Sequence, residues 1–142
     1  LKTKFYLIQP VRDYIEWELE HYHENKRQLE EYKMDMIPSC VATYSLAQSS
    51  NHSETTDTTA QRAIKLATSP YILNTERNVK AIEAILAKCD DTDKKLINMV
   101  YWKRAYNIEG AGMVAGLSRA GAYKRVNKII FGVALEMGLI NV

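Results

Sequence analysis

Residues 108–128 read IEGAGMVAGLSRAGAYKRVNK, and this stretch predicts a helix-turn-helix. Gly112 and Ala115 put small side chains where two helices must cross closely. Gly116 has the freedom to take the positive φ that a turn requires. Leu117 is expected to point inward, and Ser118 stands where an N-cap opens a new helix. That second helix carries Arg119, Lys124, Arg125 and Lys128. A short helix, a glycine turn and a basic helix are the parts that present a helix to the major groove of DNA. Basic residues on an amphipathic helix also make an ordinary solvated face, so the rest of the chain has to weigh in.

Charge distribution favours the DNA reading. The 142 residues carry a formal net charge of only +2, but it is uneven. Residues 1–38 hold six Lys/Arg against eight Asp/Glu, 39–90 hold five of each, and 91–142 hold eight against four. Positive charge gathered in the terminal third suits a local anionic partner. Apolar content of 46% with 25% charged residues is that of a globular chain able to bury a core. No apolar run approaches the roughly 20 residues that span a bilayer, and no signal-peptide pattern opens the chain. Cys40 and Cys89 share no motif, so both are expected as reduced thiols.

Few segments alternate with period two, and the fold class expected is all-α: a long N-terminal helix, central helices and the C-terminal helix-turn-helix. One helix is expected from Pro10, in its first turn, to about Asp35. Ile15, Tyr22, Leu29 and Met36 form an apolar lane on it, fit for packing or oligomerisation within 1–38. Residues 39–57, rich in Ser, Thr and Asn, predict a loop or linker. Central helices are expected in 58–90, one opening at Thr58 or Thr59 and ending at Leu66. The next, from Pro70 to Lys88, puts Ile72, Val79, Ile82 and Leu86 on one face. In 91–142, Asp90-Asp91-Thr92 caps a helix from Asp93 to Ala105, with Leu96, Ile97, Val100 and Tyr101 inward. The last helix runs from Ser118 to about Met137, and Gly138 ends it.

Projected at 100° per residue, that last helix turns Ala122, Val126, Ile129, Ile130 and Val133 to the core. Ala120, Lys124 and Lys128 lead the opposite face, with Gly121 and Asn127 beside them and Arg119 in the first turn. Arg pairs with guanine, Asn with adenine, and a small Ala admits a thymine methyl. Lys124, Arg125 and Lys128 suit phosphates, as does Ser118 at the helix start. Gly121 lowers helix stability by about 1 kcal/mol relative to Ala, which clearance for DNA would explain. Further along, Phe131 and Leu135 are expected to pack on the N-terminal helix or a second subunit.

With these residues in view, the chain resembles the RinA family of phage late transcriptional activators. The likeness runs through ELEHYHENKRQLEEYKMDMI (18–37), RAIKLATSPYILNTERNVKAIEAIL (62–86), KKLINMVYW (94–102) and IEGAGMVAGLSRAGAYKR with KII (108–130). The resemblance implies a helix-turn-helix similar to region 4 of sigma factors. It also implies activation of a late operon of packaging and structural genes, together with bacterial RNA polymerase, in the host cytoplasm. Within the motif, Ser118-Arg119 and Tyr123-Lys124-Arg125 fit the recognition helix best. The lean Ala111, Gly112 and Ala115, and Gly121 in place of a Thr-like residue, depart from the family pattern. The expected partners are double-stranded DNA, RNA polymerase and a second copy of the chain, with no membrane.

An enzyme is not expected. His21 and His23 point to different sides of their helix, and His52 stands alone in the polar stretch. No phosphate-binding glycine loop, nucleophile elbow or paired-acid motif occurs in the chain. No cofactor or metal is expected. Tyr101-Trp102 suits the core, and Glu16, Glu18, Glu20 and Glu24 suit a wet helix face. The rival reading is a small terminase subunit, which would also be helical, oligomeric and DNA-binding. A third is a protein-binding module whose motif is purely structural.

Overall fold

The computed structural model describes residues 6–46 and 54–141, with side chains described for 6–35, 60–65 and 67–141. The fold is all-α, with seven α-helices and no strand among the described residues. They are α1 (Gln9–Glu20), α2 (Tyr22–Leu46), α3 (Glu54–Thr68), α4 (Pro70–Lys88), α5 (Asp91–Ile97), α6 (Ile108–Val114) and α7 (Arg119–Glu136). A π-helical turn, Asn98–Trp102, continues α5. The chain divides into two compact units, Leu1–Tyr22 with Asn78–Val142, and His23–Arg77.

The first unit owns the principal core. Ile15 and Leu19 of α1, Ile82 of α4, Leu96 and Ile97 of α5, and Val126, Ile130 and Val133 of α7 are all fully buried. Each such aliphatic side chain contributes about 1.5–3 kcal/mol on leaving water. The face projected for the last helix is thus the buried one, and α7 packs on α1, α5 and α6. Asp90 caps α5 by accepting the Asp93 N–H at 2.8 Å. Pro10 sits in the first turn of α1, where its missing N–H has no intrahelical partner to lose.

In the second unit, Leu29 of α2 and Ile72 of α4 are buried. Around them Lys33 pairs with Glu76 at 3.0 Å, and the Tyr71 hydroxyl donates to Gln28 at 3.2 Å. Met34, Ile64 and Leu73 stay exposed.

Four features differ from expectation. The long N-terminal helix is two helices, broken at His21 (φ −97°, ψ 6°). There the Trp17 carbonyl is shared by the His21 backbone N–H, at 3.1 Å, and the His21 ring Nδ1, at 2.8 Å. The imidazole stacks on Trp17 with centroids 4.1 Å apart. A side chain that competes for a helical carbonyl loosens the next turn. Second, the stretch 39–57 is helical at both ends, since α2 continues through Pro38 to Leu46 and α3 opens at Glu54. Residues 47–53 lie outside the described residues, as does the side chain of Cys40. Ser and Thr disfavour a helix by only a few tenths of a kcal/mol each, too little to break one.

Third, the helix expected from Asp93 to Ala105 gives way at Asn98 to the π turn, closed by a 2.8 Å bond from the Lys103 N–H to the Asn98 carbonyl. Arg104, at φ +50°, ends it. The wider turn brings two successive aromatics onto α1. The Tyr101 hydroxyl donates to Glu16 at 2.9 Å, and Trp102 Nε1 donates to the Leu19 carbonyl at 3.2 Å while its ring stacks on Tyr22. Fourth, of the acidic run only Glu24 is fully on the wet face. Glu18 is buried, Glu16 holds Tyr101, and Glu20 pairs with Arg104.

Candidate nucleic-acid interface

The crossing of α6 and α7 is as tight as its sequence demands. A Cβ placed on Gly112 would lie 2.5 Å from the Cβ of Ala122, closer than any real contact, so only glycine fits there. The turn follows from the end of α6. Gly116 takes φ +75°, its N–H bonds the Met113 carbonyl at 3.1 Å, and the Leu117 N–H bonds the Gly112 carbonyl at 2.7 Å. These two bonds form a Schellman closure, which satisfies carbonyls that the helix end leaves free. Leu117 then packs against the core. Asn107 caps α6 by accepting the Gly110 N–H at 2.7 Å.

Ser118 caps α7, its Oγ accepting the Gly121 N–H at 3.1 Å. A Cβ on Gly121 would come within 3.1 Å of the same Oγ. A side chain at Gly121 would therefore press lightly on the cap, which a small turn of the Ser118 hydroxyl relieves. Beyond the cap, Arg119, Ala120, Tyr123, Lys124 and Lys128 are exposed along one side of α7. The Arg119 guanidinium lies 5.9 Å from the Tyr123 ring centroid and 3.6 Å from the Glu109 carboxylate. That ion pair is open to water and therefore weak. Lys124 and Lys128 make no ion pair among the described residues.

Two expected contact residues are engaged elsewhere. Arg125 Nη1 lies 3.0 Å from both Asp90 and Asp93, so this guanidinium ties α7 to the start of α5. The cap bond from Asp93 and then the Arg125 pair hold the Asp90 carboxyl below the ordinary carboxylate range, and the two aspartates raise Arg125 in turn. Asn127 is half-buried, and its Oδ1 accepts from Arg12 Nη1 of α1 at 2.7 Å. Its carbonyl oxygen is thus committed to α1.

Beside Lys124, Arg125 and Lys128 opens a cleft of about 480 Å3, whose other lining residues include Lys88, Asp90 and Asp93. Sequence reading missed Lys88 and both carboxylates as parts of this surface. Asp90 was legible as part of a helix cap and Asp93 as the start of the helix, but nothing local signals a partner more than thirty residues on. A second, mainly apolar cleft of about 250 Å3 adjoins it, lined by Ile85, Cys89, Phe131 and Leu135 among others. Phe131 and Leu135 thus share a cleft with residues at the end of α4. Burial, with Asp93 and Asp90 nearby, pushes the Cys89 thiol up in pKa.

Among the described residues no group of three or more His, Cys, Asp or Glu is placed to hold a metal ion. No helix there is long and apolar enough to cross a membrane. Comparison with protein families, curated proteins and solved structures finds no match for this chain.

Proposed function

We propose that this protein binds double-stranded DNA in a sequence-specific way through α7 and acts as a transcriptional activator. The observation that carries the reading is the α6–α7 unit. The Gly112–Ala122 contact and the Gly116 turn fix the angle at which α7 leaves the body, and its exposed side carries Arg119, Ala120, Lys124 and Lys128. Arg119 is the candidate base reader, free to exchange a weak pair with Glu109 for a guanine edge. Lys124 and Lys128 supply phosphate contacts, which position the helix without choosing sequence. Arg125 and Asn127 serve the protein's own packing.

The narrower setting rests on the resemblance to RinA-type activators: promotion of a phage late operon with bacterial RNA polymerase, in the host cytoplasm, by binding without catalysis. Footprinting across a late-operon control region, paired with transcription in vitro, tests both parts. Protection of a defined site with promoter-dependent stimulation of RNA polymerase is the expected result. Specific binding should exceed binding to unrelated DNA by about a thousandfold or more. Stimulated DNA cleavage by a packaging ATPase, without transcription, would favour a small terminase subunit.

A further inference from the structure

We infer that Lys88, at the end of α4 and outside the helix-turn-helix, is a phosphate contact that extends the DNA surface onto a second helix. This rests on the DNA-binding reading above and deepens it. The last turns of α4 lie close against α7, for a Cβ on Gly132 would come within 3.0 Å of Ile85 Cδ1. That proximity sets Lys88 in the same cleft as Lys124 and Lys128. The charges there sort themselves by partner. Arg125 is held by Asp90 and Asp93, each at 3.0 Å, a trio with one net negative charge. Three lysines from two helices outweigh that charge and set the sign of the cleft.

Among the described residues Lys88 pairs with Glu136 alone, at 3.5 Å, with side chains 71% and 40% exposed. So open a pair contributes little and exchanges readily for a phosphodiester. A lysine is a point charge on a flexible stem, suited to phosphate and poor at reading a base edge. Lys88 should therefore add affinity and salt dependence but no sequence choice.

The test titrates the full chain against a mixed-sequence DNA duplex at several salt concentrations, for wild type, K88A, K88R and K128A. Each phosphate contact adds about 0.9 to the slope of log affinity against log salt. K88A should lower the slope by about that amount, shrinking the affinity lost between about 50 and about 200 mM salt by roughly threefold to fourfold. K88R should restore the wild-type slope, and inorganic phosphate at matched ionic strength should not displace the duplex. If K128A lowers the slope and K88A does not, Lys88 is an ordinary solvated side chain and this inference alone fails. If phosphate displaces the duplex, the cleft is a small-anion site and the inference also fails. If the wild-type chain does not bind the duplex at all, the DNA-binding reading fails with it.

Discussion

Gly112 is the residue on which the geometry of α7 turns. Its missing Cβ lets Ala122 approach to a distance that no alanine pair tolerates. Gly112→Ala should therefore lower stability by about 1–3 kcal/mol in urea denaturation, as overpacked contacts do. Ala122→Gly in the same chain should recover part of the loss, so the double variant is less damaged than the sum of the singles. An undiminished Gly112→Ala protein would mean the crossing is looser than described. Ser118→Ala, which removes the cap on Gly121, should cost about 1 kcal/mol by the same measurement. These features were legible in the sequence because their chemistry is local. A cap acts across three residues, and a glycine turn across two hydrogen bonds.

At the scale of elements, the join between α5 and α7 depends on charge. The Asp90 carboxyl is held below the ordinary range by the Asp93 N–H and by Arg125. A carboxyl depressed on folding stabilises fully above its unfolded pKa, near 4, and its contribution is lost as pH falls through the folded value. Melting temperature should accordingly fall below about pH 4, and less steeply in Asp90→Asn, which keeps a capping side chain without the titrating charge. Equal pH profiles for the two proteins would remove Asp90 from the join. The helices α4, α5 and α7 were readable because their buried faces follow their apolar spacing, whereas the helical ends of 39–57 carry no such stripe. Hidden from a linear reading were the tertiary partnerships. Arg125 and Asn127 lie on the polar side of α7 and looked free for DNA, but Asp90, Asp93 and Arg12 reach them from distant parts of the chain. The break at His21 was missed because the apolar lane of Ile15, Tyr22 and Leu29 runs on across it, and all three are buried.

For the molecule as a whole, one unit combines the core with a basic exposed helix, and its apolar cleft adjoins the basic one. Phe131, half-buried there, should on replacement by Gln lower stability by about 1–2 kcal/mol. Analytical ultracentrifugation would then distinguish packing within the chain, with mass unchanged, from a lost subunit contact, with mass reduced. The larger claim is that Arg119 and Lys124 on α7 select and hold DNA, while Arg125 holds the protein together. The most direct measurement is a footprint of wild-type protein and of Arg119→Ala with Lys124→Ala on the same control region, with folding checked by circular dichroism. The double variant should stay folded and lose the specific protection; a footprint unchanged from wild type would contradict the assignment of α7 as the reading helix.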